Sequence, residues 1–248
     1  MTDTALILAG GLGRRLLTFG EDKPKGFIRL GSLPIVEESV QSLRRAGVSR
    51  IVIVTGHREA CYRELAARLG GDVFLVHNPS FAESGSAYSM QCARELVGER
   101  DFLLLESDII YEQRALQEVL AGDAPGVILC SGPTGSGDEV YVEANADRLV
   151  ALSKRRDELG AGVVGELVGI SRISPDLFRA MLAAADEHFR RSLHMEYEQS
   201  LVAAGRHVPV RCHVVSDLLW AEIDDASHLE RATRSIYPAI VRRDGIAN

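Results

Sequence analysis

The sequence predicts an α/β protein with a doubly wound, mainly parallel mixed sheet. Short apolar runs alternate with amphipathic segments through the first half of the chain, which is typical of parallel strands joined by covering helices. The first apolar run passes directly into a glycine-rich turn. The chain has 248 residues, 46% of them apolar, so it can bury the core of one large domain.

The first half is predicted to contain alternating strands and helices. Each strand is a short run of mostly apolar residues, and each helix has apolar residues at helical spacing. Pro34 suits a first helical turn. The predicted strands are Ala5–Ala9, Arg50–Thr55, Val73–His77, Phe102–Glu106 and Val127–Ser131. The predicted helices are Pro34–Ala46, Arg58–Leu69, Ser86–Leu96 and Glu112–Leu120.

The pattern changes after Gly132, where extended runs predict a smaller mixed-sheet extension. The extended runs are Val140–Ala144, Leu149–Ser153, Val163–Ser171 and Val208–Val215. The helices are Pro175–Phe189, Glu196–Ala204 and Ser227–Ile236. No linker rich in proline or serine separates the two parts, so we expect one domain over residues 1–248, with a functional division after residue 131.

Composition restricts the classes of partner. A net charge of −7 argues against general binding to nucleic acids or anionic membranes and favours a small molecule. Four separated cysteines without a CxxC pair suggest core thiols rather than a zinc site or disulfide scaffold. The N terminus does not resemble a signal peptide, and no apolar run approaches about 18 residues. We therefore expect a cytoplasmic protein.

The segment from Leu6 to Phe27 predicts a cradle for a polyphosphate. Glycines after the first strand free backbone N–H groups to approach a ligand, and nearby cations add charge. The spacing fits neither a Walker loop nor a dinucleotide fingerprint. An ordinary glycine-rich turn with surface cations is the alternative, and Lys25 in DKPKGF favours nucleoside triphosphate binding. The residues concerned are Gly10, Gly11, Gly13, Arg14, Arg15, Lys23 and Lys25.

Two acidic positions predict a metal site. Asp108 follows a buried strand, where ligands of open α/β sheets bind, although it could also cap a following helix. Near the other end of the chain, Glu222, Asp224 and Asp225 precede an amphipathic helix. Asp225 is the better cap for that helix, which leaves Asp224 for a metal. Oxygen ligands from two strand ends suit Mg²⁺.

With these motifs in this order, the chain resembles the sugar-nucleotidyltransferase-like cytidylyltransferases over nearly all of its length. Within them it is most similar to the branch containing the phosphocholine and 2-aminoethylphosphonate cytidylyltransferases, and more to the latter. The resemblance implies a nucleotide-diphospho-sugar transferase fold, which is glycosyltransferase-A-like. The segments that narrow the resemblance to this branch are SGPTGSGDEVYVE (Ser131–Glu143), LSKRRD (Leu152–Asp157), GELVGISRIS (Gly165–Ser174), EYEQSL (Glu196–Leu201) and HLERATRSIYPAIV (His228–Val241).

The resemblance also implies roles for particular residues. Arg14 and Lys25 would hold the phosphates of CTP, and Lys154 would bind the phosphonate of the acceptor. The segment ESGSAYSM departs from the family pattern, and Ser86 there could instead cap a helix. The implied nucleotide-binding residues are Leu8, Ala9, Gly10, Gly11, Gly13, Asn78, Ser84, Gly85, Ser86 and Ser89.

The acceptor is expected to carry a phosphonate and a primary amine. A phosphate-like oxygen is largely ionised at neutral pH, so attack on the α-phosphorus needs no dedicated base. Carboxylates suit a primary ammonium, whereas phosphocholine would prefer an aromatic cage. The expected acceptor-binding residues are Asp138, Glu139, Tyr141, Glu166, Glu196 and Tyr197, and Glu198 is a further acid nearby.

Alternative functions remain open at this level. A phosphocholine enzyme is the first alternative, and transfer to another phosphonate or to a sugar phosphate is the next. A non-catalytic nucleotide-sensing module on the same fold is a different class, although such a module would not need the whole set of Lys25, Asp108 and Asp224. The expected partners are CTP, Mg²⁺ and a small acceptor, and the sequence is compatible with a homodimer.

Overall fold

A computed structural model of the chain describes residues 2–11, 23–122 and 124–245. Eleven strands are present in this part of the chain. They are β1 (Thr4–Ala9), β2 (Arg50–Thr55), β3 (Val73–His77), β4 (Phe102–Glu106), β5 (Ile109–Tyr111), β6 (Gly126–Ser131), β7 (Tyr141–Asn145), β8 (Arg148–Ser153), β9 (Val163–Ile173), β10 (Val210–Val215) and β11 (Trp220–Glu222). Nine of them form one sheet in the order β3-β2-β1-β4-β9-β6-β10-β8-β7.

The sheet changes direction at β9. The strands β1, β2, β3 and β4 pair in parallel, and β6 pairs in parallel with β10. The long strand β9 lies antiparallel between β4 and β6 and also pairs with β7. One continuous sheet therefore contains strands from both predicted halves.

Helices cover both faces of the sheet. They are α1 (Ile35–Arg45), α2 (Glu59–Leu69), α3 (Ser86–Cys92), α4 (Arg94–Val97), α5 (Arg114–Leu120), α6 (Pro175–Phe189), α7 (Tyr197–Gly205), α8 (Ala226–Arg231) and α9 (Tyr237–Asp244). Alternate residues of β1 enter opposite cores: Ile7 packs with α1, α2 and α5, whereas Leu6 packs with α3, α6 and α7. Burial on both faces explains why β1 is a continuous apolar run.

The strands β5 and β11 form a separate antiparallel ladder. Its register opposes Tyr111 to Trp220 and Ile109 to Glu222. The backbone N–H of Ile223 also donates to the carbonyl of Asp108 at 3.0 Å. The ladder therefore places the residues just before β5 beside the residues at the end of β11, although they are more than a hundred positions apart in the sequence.

The structure confirms the predicted mixed α/β fold and corrects several boundaries. The turn after Asp108 leads into strand β5, so this residue does not cap a helix, and α5 begins at Arg114. The segment predicted as one helix from Ser86 is divided into α3 and α4. The sequence also missed α9, whose Pro238 lies in the first turn, where no backbone N–H is required.

The predicted cap at Asp225 is confirmed, since its side chain accepts hydrogen bonds from the backbone N–H groups of Ser227 and His228. Within residues 2–11, 23–122 and 124–245, none of the helices combines the length and apolar character needed to span a membrane.

Candidate active site

A polar cleft of about 470 Å³ opens where β1 and β4 end. Parallel strands present their carboxyl ends at the same edge of a sheet, which is where ligands of this fold class bind. The predicted site residues that line the cleft are Leu8, Ala9, Gly10, Gly11, Lys25, Ser84, Gly85, Ser86, Ser89, Asp108, Lys154, Glu196, Tyr197 and Asp224. A second cavity, of about 400 Å³, lies between α1, β5 and α9 and contains none of these residues.

Several predicted residues lie elsewhere. Gly13 and Arg14, with the neighbouring Arg15, are outside the described residues. Glu139, Tyr141 and Glu166 do not line the cleft. The carboxylate of Glu166 accepts from the backbone N–H of Thr134 at 3.0 Å and is buried. Glu166 lies on β9 itself, Tyr141 begins the paired strand β7, and Glu139 precedes β7, placements that sequence spacing does not reveal.

Lys25 lies at the centre of the cleft. It begins a single 3₁₀ turn, Lys25–Phe27, and its Nζ lies 3.0 Å from Oδ2 of Asp108 and also contacts Oδ1 of Asp224. Burial lowers the pKa of Lys25, but the two carboxylates outweigh burial and the net change is an increase. Lys25 therefore remains an ammonium ion. Gly26 allows the turn this close, since a Cβ there would lie 3.1 Å from the carbonyl of Ser107.

Three carboxylates beside Lys25 could hold a metal ion. One oxygen from each of Glu106, Asp108 and Glu222 lies within 4.8 Å of the others. Burial, then Glu198 and Asp108, raises the pKa of Glu106 to about 8. Burial, then Glu106 and Asp108, also raises the pKa of Glu222. Oxygen donors that are crowded and partly desolvated fit a hard divalent cation, which would remove their mutual repulsion.

Sequence reasoning did not assign Glu106 and Glu222 to the site. Each precedes a predicted metal ligand by two residues, in Glu106-Ser107-Asp108 and Glu222-Ile223-Asp224. This spacing was the available signal. Because Asp224 is joined to Asp108 through Lys25, it belongs to the same site as the three carboxylates.

The serines near the glycine turn are positioned by Asn78. This asparagine is 1% exposed and does not line the cleft. Its Nδ2 donates to Ser84 Oγ and to Ser89 Oγ, each at 3.0 Å. A Cβ at Gly10 would lie 3.0 Å from Ser89 Oγ. Asn78, which is expected to lie near the base, is thus buried behind two serines that do line the cleft.

Glu196 and Ser86 connect α7 to α3. Oε2 of Glu196 accepts from Ser86 Oγ at 2.5 Å and from the Ser86 backbone N–H at 3.0 Å. The N-cap of α3 is Gly85, so Ser86 is the first helical residue and not the cap. Glu196 itself is the N-cap of α7, where Gln199 Oε1 accepts from its backbone N–H at 2.9 Å. Both side chains thus already have structural partners.

Tyr197 is oriented toward the acidic residues. It is 2% exposed, and its hydroxyl donates to Glu106 Oε1 at 2.9 Å. The hydroxyl of this tyrosine is therefore already used. The tyrosine fixes the position of one carboxylate of the candidate metal group.

Lys154 lies at the rim of the cleft, directly after β8. Its Nζ donates to Asp138 Oδ1 at 2.8 Å. Burial lowers the pKa of Lys154, but Asp138 and more distant carboxylates outweigh burial, so the pKa is raised. The predicted acceptor residue Asp138 does not line the cleft but contacts Lys154, which does and which stays positively charged.

Comparison with known proteins identifies the family. The MobA-like NTP transferase domain matches residues 5–199, which cover all of the cleft except its contributions from β11 and the residues after it. The chain belongs to this family. The predicted nucleotidyltransferase class is therefore confirmed.

Several curated relatives of this MobA-like transferase domain are named as nucleotide transferases. The CMP-5'-(3-aminopropyl)phosphonate synthase of Streptomyces rubellomurinus is 30% identical over 92% of the chain and 38% of its own length. The 2-aminoethylphosphonate cytidylyltransferase of Lancefieldella rimae is 29% identical over 71% of the chain and 69% of its own length. The chain spans only 38% to 54% of the length of the first three curated relatives that it matches.

A solved structure confirms the fold. The inositol-1-phosphate CTP transferase from T. maritima superimposes with a TM-score of 0.82 at 23% identity, covering 100% of this chain and 98% of the other. The MobA-like transferase domain therefore has the nucleotide-diphospho-sugar transferase fold that its sequence predicts.

Proposed function

We propose that this chain is a Mg²⁺-dependent CTP:2-aminoethylphosphonate cytidylyltransferase, which forms CMP-2-aminoethylphosphonate and pyrophosphate. The observation that carries the proposal is the contact of Lys25 with both Asp108 and Asp224, in a cleft that begins at the glycine turn. An ammonium ion, backbone N–H groups and acidic metal ligands are the parts that transfer of a nucleotidyl group requires.

The reaction is a substitution at phosphorus. An ionised phosphonate oxygen forms a bond to the α-phosphorus of CTP, the bond from that phosphorus to its bridging oxygen breaks, and pyrophosphate leaves with the bonding electrons. Negative charge grows on the bridging oxygen and the phosphates. We assign Lys25 to stabilise this charge, together with Arg14, which lies outside the described residues. Lys154 is assigned to hold the acceptor's phosphonate.

The metal is assigned to the carboxylates beside Lys25. Asp108 and Asp224 are the ligands that the sequence predicts, and Glu106 and Glu222 offer further oxygens close to them. A bound Mg²⁺ supplies neutralisation of phosphate charge. Mg²⁺ prefers oxygen ligands and retains several waters, so it does not need a closed protein cage.

The nucleotide is assigned to the side of the cleft formed by β1 and α3. Leu8 to Gly11 approach it from the glycine turn, and Ser84, Gly85 and Ser89 line the adjoining wall. We assign residues 1–131 to CTP and residues 132–248 mainly to the acceptor. Asp224 and Glu222 are the exceptions, since the β5–β11 ladder brings them back to the nucleotide side.

The acceptor assignment rests on charge. The cleft contains more carboxylates than metal binding needs, and acids favour a primary ammonium. Two relatives whose names specify aminoalkylphosphonate products or substrates support this class of acceptor.

The test is a panel of acceptors and nucleotides. Pyrophosphate release is measured with 2-aminoethylphosphonate, phosphocholine, phosphoethanolamine and a hydroxyalkylphosphonate, each with CTP, UTP and ATP in the presence of Mg²⁺. We expect the highest kcat/KM for 2-aminoethylphosphonate with CTP. A clear preference for phosphocholine would overturn the acceptor, and no release with any pair would favour a nucleotide-sensing module.

A further inference from the structure

The imidazole of His228 lies between the candidate metal ligands and the segment that holds Lys154. His228 is in α8 and is 4% exposed, so its ring is closed off from solvent. Both ring nitrogens have protein partners. The backbone N–H of Asp224 donates to Nδ1 at 3.4 Å, and Nε2 lies 3.1 Å from the carbonyl oxygen of Ser136, which is 92 positions away in the sequence. One buried side chain therefore joins two distant segments of the chain.

The two contacts require the same tautomer of His228. A backbone N–H can only donate, so Nδ1 carries no hydrogen and accepts from Asp224. A carbonyl oxygen can only accept, so the ring hydrogen is on Nε2 and is donated to Ser136. Because one tautomer satisfies both partners, the two contacts together fix the orientation of the ring.

The first contact fixes the backbone at Asp224. The preceding residue, Ile223, donates from its backbone N–H to the carbonyl of Asp108 at 3.0 Å. The chain is thus tied to the segment of one candidate metal ligand at Ile223 and to α8 at the next residue. The side chain of Asp224 is buried and contacts Lys25. The direction in which this carboxylate points therefore depends on His228.

The second contact fixes the loop between β6 and β7, which carries Asp138. Ser136 lies between Gly135 and Gly137, whose φ angles of +62° and +90° belong to the left-handed region that glycine adopts readily. The backbone N–H of Asp138 donates to Ser136 Oγ at 3.4 Å, and Asp138 Oδ1 accepts from Lys154 at 2.8 Å. The position of Ser136 therefore influences where the ammonium of Lys154 is held.

We propose that His228 is a positioning residue that couples the metal ligand Asp224 to the acceptor lysine Lys154. The inference rests on the proposed function and deepens it. His228 does not line the cleft, so it acts through the backbone of Asp224 on the metal site and through Ser136 and Asp138 on the acceptor site. The two sites are thereby held in one relative geometry, as an in-line substitution requires.

Two amide side chains separate the two contacts of His228. Asparagine places an oxygen near the position of Nδ1 and is too short to reach Ser136. Glutamine places its NH₂ group near the position of Nε2 and leaves the N–H of Asp224 without its acceptor. His228→Gln should therefore raise the Mg²⁺ concentration for half-maximal activity by about 3- to 10-fold and leave KM for 2-aminoethylphosphonate within about twofold. His228→Asn should do the reverse.

The control is Glu230→Gln on the same helix, whose carboxylate is 57% exposed and pairs with Arg234. It should change neither parameter. Both variants of His228 are expected to fold, since Arg231 holds the loop at the carbonyl of Thr134 at 2.8 Å, and the cap of α8 does not use the imidazole ring. Equal changes of both parameters in the two His228 variants, or no change in either variant, would overturn the proposal.

Two further measurements do not depend on transfer. Nitrogen NMR of the isotope-labelled native protein, with the signals of His228 assigned by their absence in His228→Gln, should show hydrogen on Nε2 and none on Nδ1. Calorimetry with Mg²⁺ alone should show binding that His228→Gln weakens and His228→Asn does not. The opposite tautomer, or Mg²⁺ binding that does not distinguish the two variants, would refute the role of His228.

These measurements also separate the failure of the inference from the failure of the proposed function. If the native protein releases no pyrophosphate with any acceptor, the proposed reaction is refuted. The link between His228 and the metal ligand then stands if the tautomer and the difference in Mg²⁺ binding are as expected, and it falls if either is not.

Discussion

The ammonium of Lys25 lies 3.0 Å from the carboxylate of Asp108, although 83 positions separate the two residues in the sequence. Asp224, 199 positions from Lys25, contacts the same ammonium. Two carboxylates thus share one cation, which comes from the turn Lys25–Phe27. The stability of the cleft therefore depends on the balance of these charges.

Replacing Lys25 by methionine should lower kcat/KM by about 10²- to 10³-fold, because transition-state charge loses a preorganised cation. It should also lower Tm in the absence of Mg²⁺, since Asp108 and Asp224 are left uncompensated. Added Mg²⁺ should reverse part of this decrease in Tm. Steady-state pyrophosphate release and thermal unfolding measure both effects. Arg68→Met, at a side chain that is 57% exposed on α2, is the control. Near-normal turnover of Lys25→Met would remove this lysine from the mechanism.

Neighbouring aspartates provide a matched pair for the metal site. Asp224→Asn should lower kcat/KM by at least about 10²-fold and shift the Mg²⁺ titration to higher concentration, since a ligand charge is lost. Asp225→Asn should change kcat/KM by less than about twofold, because asparagine caps a helix as well as aspartate does. Equal effects of the two substitutions would contradict the assignment of Asp224 to the metal.

Gly169 should not tolerate a side chain. Its φ of +79° is a backbone conformation that other residues rarely adopt, and a Cβ would lie 3.2 Å from the carboxyl carbon of Glu106. Gly169→Ala should therefore lower the free energy of unfolding by about 1 kcal/mol or more and weaken Mg²⁺-dependent activity by moving Glu106. Denaturant unfolding and Mg²⁺ titration test this. Gly71→Ala, where a Cβ would meet nothing within 4 Å, should change neither.

Glu112 should be important for stability. Its side chain is fully buried and pairs with Arg114 at 3.0 Å and Arg243 at 3.1 Å, joining α9 to the start of α5. Glu112→Ala should lower the free energy of unfolding by about 1–3 kcal/mol, because the hydrogen bonds from both arginines and from the backbone N–H of Leu219 are lost. Asp217→Ala, at a 66% exposed acid that pairs with Arg114, should cost less than about 1 kcal/mol. The free energy of unfolding of both variants is measured by denaturant unfolding. Similar decreases for the two substitutions would show that the burial of Glu112 does not explain its contribution.

Acid should remove the contribution of the pair formed by Asp72 and Arg44. Hydrogen bonding from Arg44, at 2.8 and 2.6 Å, holds the pKa of Asp72 below its usual value. The pair therefore stabilises the protein above the unfolded-state pKa, and this contribution is lost as pH falls through the lower folded-state pKa. Asp72→Asn should cost up to about 1 kcal/mol at pH 7 and progressively less as pH falls below about 4. A constant difference in unfolding free energy over that range would contradict the prediction.

The local sequence pattern was sufficient to predict most of the strands and helices. β2, β3 and β4 have the predicted bounds, because short apolar strands between helices are readable from periodicity. Local capping chemistry also identified Asp225 correctly. The three-residue strands β5 and β11 are harder to recognise, because they are too short to show a period and depend on pairing with each other.

The sequence alone determined the α/β class, the glycines that follow β1 and the acidic residues at strand ends, since each depends on a few neighbouring residues. Only the tertiary structure decided which charges meet. The β5–β11 ladder joined Asp108 to the residues around Asp224, whereas Glu166, on β9, accepts from the backbone of Thr134 and does not line the cleft. Such contacts depend on strand order and register, which bring distant residues together through hydrogen bonds that no local periodicity encodes.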